Sequence, residues 1–313
     1  MKKQYLAIAI LAALIVIYLV VQKRETSMTA PESKTDVLDV DTSAVNKVVL
    51  KRLGGAITLS RAGGVWYLVE DQSYKADTAS VRQLLETIAG LTVGNVISDN
   101  PGNQMTFQVD TLTGQTVELY TGDRLLSSFV VGKMATDFRH TYIRLSGKDE
   151  VYLAEGMLSR SLSKNPTNWR DKTIVDIPAA NVQQVEFEFG NEHYRVIRED
   201  TLWFVSKAPF DEKVESEREK AGKLVASLCT LKASEFAAAR DSASYNFDSL
   251  SYNALITLTD GSVQVIEAAV TQGNSDKHFV RTSAEETVFI LFNAPWQNIV
   301  KTYDELLTLQ KSD

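Results

Sequence analysis

The sequence predicts an α+β protein with one N-terminal transmembrane helix and two tandem duplicated domains. Each domain is expected to be a mostly antiparallel sheet with one packed amphipathic helix and a short closing helix. Three observations carry this reading. Residues 5–21, YLAIAILAALIVIYLVV, are apolar without interruption. Beyond them, short runs rich in β-branched and aromatic residues are divided by glycine turns, and an apolar pattern of helical period interrupts them once per half. The second half also repeats the first. VNKVVL from Val45 aligns with VQQVEF from Val182, and the same offset of 137 sets Ile57 on Tyr194, Arg61 on Arg198 and Trp66 on Trp203.

The apolar run is 17 residues long, at the lower end of what crosses a hydrocarbon core about 30 Å thick. Eleven of its residues are Leu, Ile or Val, which favours insertion by about 3 to 7 kcal/mol. A cleaved secretory signal shares the basic start and the apolar run. Here the run is longer than a usual signal core, Lys23 and Arg24 follow it, and the small-residue site Met28-Thr29-Ala30 is followed by Pro31. These features point to a retained signal-anchor. Lys2 and Lys3 nearly balance Lys23 and Arg24, so orientation follows from mass: a short leader stays inside while a long folded body crosses. The expectation is a cytoplasmic tip (1–4), an anchor in the cytoplasmic (inner) membrane (5–21) and an extracytoplasmic, periplasmic body. Residues 22–44 read as a polar linker. Its acids Asp36, Asp39 and Asp41 lack the glycine and terminal bidentate acid of a calcium loop.

Composition excludes several function classes. With a net charge of −7 and no Lys/Arg run longer than two, the chain has no basic face to neutralise phosphates, so no nucleic-acid partner is expected. Cys229 is the single cysteine, which excludes an intramolecular disulfide, a thiolate zinc site and a lipid-anchoring cysteine after the apolar run.

The repeat extends through each domain. Val81, Leu84, Leu85, Ile88 and Leu91 lie at helical spacing, and Leu224, Val225, Leu228 and Leu231 repeat the last four at an offset of 140. Tyr142 and Arg144 then meet Phe279 and Arg281, and Val151, Tyr152 and Leu153 meet Val288, Phe289 and Ile290, at 137 again. A period of that length indicates domain duplication rather than a solenoid. In the first domain, 45–178, strands are expected at 45–52, 56–61 and 65–69, split by Gly54-Gly55 and Gly63-Gly64. A helix follows at 78–91, capped by Asp77 or Thr78. Strands continue at 105–109, 117–120, 126–131, 141–145 and 150–154, and a closing helix at 156–163 is stopped by Asn165-Pro166. The second domain, 179–307, repeats the order. Strands start near Val182, Tyr194 and Leu202, followed by a helix at 216–231 with Ser216 and Glu219 at capping-box spacing. Strands near Ala254, Ser262, His278 and Thr287 and a terminal helix at 296–307 complete it, leaving a tail at 308–313.

Candidate chemistry is sparse. His140, His193 and His278 are the only histidines, and no two share helical metal-ligand spacing. His140 and His278 stand at the starts of equivalent strands, close to Asp137 and Asp276. Arg144 and Arg281 are equivalent, as are Arg61 and Arg198. His140, His278, Arg144 and Arg281 are the candidate ligand-binding residues; the arginines read as an anion or sugar-acid clamp between pseudo-symmetric halves, and the histidines as a site only if the halves face one another. The plainer reading is outward residues on alternating strands. Val131-Gly132-Lys133-Met134 lacks the leading glycine and the Ser/Thr of a phosphate loop, and no Gly-x-Ser-x-Gly elbow is present. Cys229 lies on the apolar side of its helix with no histidine nearby in sequence. Trp66 and Trp203 read as anchors of each sheet to its helix. No catalytic, cofactor or metal residue is assigned, and no enzyme is expected.

Several of these segments carry a family resemblance. The Trp66 strand with Tyr74-Lys75-Ala76-Asp77 and its Leu-rich helix, FVVGK at Phe129, TYIRL at Thr141, VYLA at Val151 and NWRDKTIVDIP from Asn168 resemble the bacterial domain of unknown function 4340 family, over most of 45–307. The resemblance implies a single-pass, membrane-anchored protein of uncharacterised activity, with relatives often encoded beside gliding-type ABC transporter components. It supplies no site residues. The chain departs from a strict repeat where Val131-Gly132-Lys133 faces Val270-Thr271-Gln272, so a role for that glycine is not duplicated. Two functional expectations follow. One is a non-enzymatic scaffold subunit, anchored through residues 5–21, with a protein partner in an ABC-type export or envelope complex. The alternative is an extracytoplasmic binding module for a glycan, lipid head group or peptide, using a crevice between the repeats.

Overall fold

The computed structural model describes residues 40–69, 73–156, 158–238, 245–270, 276–283 and 285–307. The expected tip, the anchor at 5–21, most of the linker, Thr271, Gln272 and the tail at 308–313 lie outside the described residues. Among the described residues no helix is long and apolar enough to cross a membrane. The chain divides into two units between Asp171 and Lys172. The segment 172–178, which the sequence reading placed in the first domain, belongs to the second unit: Ile174 and Val175 are buried in its core, and both amides donate to the Leu231 carbonyl.

The first unit opens with β1 (Lys47–Arg52), β2 (Gly55–Ala62), β3 (Val65–Val69) and β4 (Ser73–Lys75), then helix α1 (Thr78–Ala89). Strand β5 (Thr92–Ser98) leads to the short helix α2 (Gln104–Phe107). Strands β6 (Gln115–Thr121), β7 (Arg124–Met134), β8 (His140–Leu145) and β9 (Val151–Glu155) and helix α3 (Leu158–Leu162) complete it. The nine strands form one sheet in the order β4-β3-β2-β1-β6-β7-β8-β9-β5, with antiparallel pairing throughout. Asp77 caps α1, its carboxylate accepting from the Ser80 amide at 2.8 Å. The helix lays Val81, Leu84 and Ile88 on one sheet face, with Trp66 buried in the same cluster. Burial of those three side chains stabilises by roughly 5–9 kcal/mol.

The second unit has β10 (Val182–Phe189), β11 (Glu192–Glu199), β12 (Leu202–Lys207), β13 (Val214–Glu215) and helix α4 (Arg218–Cys229), then β14 (Glu235–Phe236) and β15 (Leu250–Leu258). Strands β16 (Val263–Val270), β17 (Lys277–Thr282) and β18 (Glu285–Phe292) and helices α5 (Asn293–Ile299) and α6 (Tyr303–Leu306) follow. Its sheet order, β13-β12-β11-β10-β15-β16-β17-β18-β14, repeats the first strand for strand. Helix α4 buries Leu224, Val225 and Leu228, and Trp203 packs against the same core.

Two local expectations are corrected. Residues 105–109 are not a strand. Asn100 and Pro101 start a 3-10 turn that runs into α2, and Gln108 ends that helix in the left-handed region, with Phe107 laid on Tyr142 at 4.6 Å. Ser216 does not cap α4 either. The N-cap is Glu217, without a side-chain bond, because the Ser216 hydroxyl donates to the Leu306 carbonyl at 2.7 Å. The capping box forms instead at Thr302 and Glu305, at the start of α6.

Gly132 explains why α2 can lie so close to β7. A Cβ there would stand 2.3 Å from the Phe107 carbonyl oxygen and 2.7 Å from Val109. Pairing of Val131 with Ile143 and of Ala268 with Val280 puts Ala269, rather than Thr271, at the corresponding place. Backbone cannot give way as a side chain can, so Gly132→Ala should destabilise by about 1–3 kcal/mol. Thermal unfolding checks this against Gly102→Ala, whose new methyl meets mainly the Asn100 side chain, at 3.2 Å. The Gly132 variant should melt several degrees lower and the Gly102 variant close to wild type.

Candidate functional site

The four residues singled out in sequence fall on two strands, two in each unit, and each is engaged locally. On β8, His140 and Arg144 share a face with Tyr142, opposite the face where Ile143 meets the helix-side core. Arg144 is buried. Its Nε donates to the Val109 carbonyl at 2.8 Å, and Nη1 donates to the carbonyls of Lys148 at 2.8 Å and Leu145 at 3.4 Å. The guanidinium thus ties the segment after α2 and the β8–β9 turn to the outer sheet face. His140 is also buried, with Nδ1 2.5 Å from Asp137 Oδ2. Asp137 turns the chain back on itself. Donation from the Arg139 amide, then from His140, outweighs burial and holds its carboxyl below the usual range.

On β17 the arrangement differs. Arg281 Nε donates to Glu267 Oε2 at 2.6 Å, and its guanidinium lies 4.3 Å from the centre of the Phe247 ring. His278 stacks on Trp296 at 4.0 Å with 11° between the planes, and Nε2 lies 3.2 Å from Asn293 Oδ1. Burial holds its pKa below the ordinary histidine value. The two arginines are equivalent by register, since Arg144 pairs with Val130 and Arg281 with Glu267, positions 137 apart. The histidines are not. The strict offset sets His278 on Thr141, and a one-residue slip along a strand reverses the face. His278 therefore lies on the helix side with Val280, whereas His140 lies on the outer side with Tyr142.

Among the described residues no three His, Cys, Asp or Glu side chains could hold a metal ion together. Cys229 is buried, and burial pushes its thiol up to about 11, so it carries little thiolate at neutral pH.

Sequence reasoning passed over an exposed apolar rim. The four most exposed large apolar side chains among the described residues are Leu53, Phe138, Met105 and Leu112, all in the first unit. Three of them share one end of the sheet. Lys51 pairs with Thr116 and Gln115 with Val131, so the β1–β2 turn carrying Leu53, the lead-in to β6 carrying Leu112 and the β7–β8 turn carrying Phe138 stand side by side. Phe138 is 71% exposed, and its φ of +59°, unusual for a bulky residue, is imposed by the Asp137 turn. The fold does not require Leu112, because the second unit has Ser249 at that position, whereas Gly190, at the position of Leu53, adopts φ +54° in a differently built turn. Comparing the two copies position by position was the signal that would have found it.

If Arg144 serves structure, removing it leaves the buried Val109 carbonyl unpaired, so Arg144→Met should lower the unfolding free energy by about 2–3 kcal/mol. Arg281→Met should cost less, about 1 kcal/mol, because its ion pair with Glu267 is partly exposed. Urea titration of both variants checks the ranking.

A family model described as Domain of unknown function (DUF4340) matches residues 66–250. No curated protein and no solved structure matches the chain. The matched span is narrower than the stretch over which the sequence resembles the family. It begins at Trp66 in the first core and ends at Leu250, the first residue of β15, so it takes in both long helices and the joint between the units. With more than half of its length in that match, the chain belongs to the DUF4340 family.

Proposed function

We propose that the chain is a non-enzymatic scaffold subunit, tethered to the cytoplasmic membrane by residues 5–21, which presents the first unit to a protein partner on the extracytoplasmic side. The partner belongs to an export or envelope complex, the setting that the family resemblance implies. The observation that carries this reading is the rim of Leu53, Leu112 and Phe138. Large, strongly exposed apolar side chains grouped at one end of a sheet, one of them replaced by Ser249 in the sister unit, suit a contact surface rather than a requirement of folding. Met134, 37% exposed at the end of β7, extends the rim, which is bordered by charges of both signs, Arg52, Lys133 and Arg139 with Asp110 and Asp137. The tether is supported by the uninterrupted apolar run and the basic pair after it.

Crosslinking in native membranes, followed by mild detergent extraction, tests both parts. Leu53→Glu, Leu112→Glu and Phe138→Glu should fold as the wild type does, within about 0.5 kcal/mol for exposed positions. They should lose the crosslinked partner that the wild type retains. A partner captured equally well by all three variants defeats the rim, and recovery of the unprocessed chain from the cytosol without detergent defeats the tether.

A further inference from the structure

Each unit has a groove between its long helix and the segment that closes the unit, and the two grooves occupy the same place in the fold. The first, about 200 Å³, is lined by Ser80, Gln83 and Leu84 of α1 and by Ser161, Lys164 and Trp169. The second, about 360 Å³, sets Lys220, Lys223, Leu224 and Ser227 of α4 against Asn298, Lys301, Glu305 and Leu306. Each residue of the first groove has a counterpart in the second, the helix positions at an offset of 140 and the closing positions at 137, while Ser227 and Glu305 line only the second.

The chemistry of the two grooves has diverged. Lys164 closes the first from within: its Nζ donates to Ser80 Oγ at 2.8 Å and rests 4.8 Å from the centre of the Trp169 ring. In the second groove the position of Ser80 holds another ammonium, Lys220, that of Gln83 holds Lys223, and Leu306 offers no aromatic face to Lys301. Like charges cannot close on each other. Among the described residues the only carboxylate paired with Lys301 is Glu305, at 4.0 Å, and Glu305 already accepts from the Thr302 amide at 2.7 Å and the Thr302 hydroxyl at 3.0 Å. Lys220 and Lys223 reach Glu217 and Glu219 at 2.9 Å in pairs exposed and weak enough to exchange, and Lys220 Nζ also donates to the Leu307 carbonyl at 3.2 Å, a longer contact. The backbone at Lys301 is fixed, since the Tyr194 hydroxyl donates to its carbonyl at 2.5 Å.

We propose that the groove of the second unit binds a small organic anion, a phosphate or carboxylate joined to an apolar group. The anionic head lies between Lys220, Lys223 and Lys301, hydrogen-bonded by Asn298, and the apolar part rests on Leu224 and Leu306. At roughly 30 Å³ for each water-sized group, the groove holds about a dozen non-hydrogen atoms. A soluble metabolite and a lipid head group share this chemistry.

Calorimetric titration of the full chain in phosphatidylcholine nanodiscs tests the site, with phenyl phosphate, inorganic phosphate and benzyl alcohol as probes. Phenyl phosphate should bind at least tenfold more tightly than either of the others. Lys301→Gln should weaken it at least tenfold. Ser227→Trp, which fills the groove from α4 and leaves every charge in place, should abolish it, with thermal melting confirming that both variants are folded. Competition by vesicles containing phosphatidic acid assigns the ligand to lipid, and binding without such competition assigns it to a soluble compound. Phenyl phosphate no tighter than inorganic phosphate, or bound equally by both folded variants, overturns the proposal.

Discussion

One helix has to serve both edges of a nine-stranded sheet, and this constraint shapes each unit. In the first, α1 leaves β4 at one edge and delivers the chain to β5 at the other. Twelve helical residues span about 18 Å, and the four linking residues add at most about 14 Å. Nine strands laid flat would measure about 38 Å across. The flat sheet is too wide for its own connection, so it must wrap around the helix. The core agrees: Ala76 beside β4 and Val93 on β5, from opposite edges, share one buried cluster with Val81, Leu84 and Ile88. Strand twist supplies the curvature, and the irregular register between β5 and β9 relieves it at the edge.

A wrapped sheet leaves the start of the helix open, and both units close it with the same joint. The Asp77 amide donates to the Trp169 carbonyl at 2.8 Å, and the Glu217 amide donates to the Leu306 carbonyl at 3.3 Å. Isolated bridges between Ala76 and Arg170 and between Ser216 and Leu307 flank these bonds. Backbone amides at a helix start need acceptors whatever the side chains are, so the joint survives extensive sequence change. It carries Lys164 and Lys301 to the same spot. Whether that lysine is internally satisfied then depends on what faces it, Ser80 and Trp169 in one copy and Lys220 and Leu306 in the other.

Much of this was legible in the sequence, because burial on one face leaves a period. The helical spacing of Val81, Leu84 and Ile88 and the steady offset of 137 marked the helices, most strands and the repeat. What escaped notice was set by pairing partners rather than by local pattern. Strand β5 contains Gly94 and Asn95 and alternates poorly, and it is a strand because β9 supplies its bonds. Strands β13 and β14, two residues each, are too short for the propensity of Val214 or Phe236 to mark a strand. Residues 105–109 alternate as a strand does, but Asn100 and Pro101 commit the chain to a turn before that pattern can act. The near match of His140 and His278 failed for a geometric reason, since alignment by eye tolerates a slip of one residue that a pleated strand does not. The rim and the grooves were not legible at all, because exposure and facing positions exist only once the sheet has closed.

The outer faces show which features the fold leaves free. Both copies keep an arginine at the same register position but give it different partners. Arg144 holds backbone carbonyls beside Val130, whereas Arg281 takes a carboxylate because Glu267 has replaced that valine. A residue retained while its partners change is being retained for a common structural task, here covering the outer face with a long stem and satisfying its own charge. The reverse holds at Ser80 and Lys220, where the backbone is held and the side chain is not. The fold is indifferent at those positions, so their divergence points to roles taken up by each copy separately.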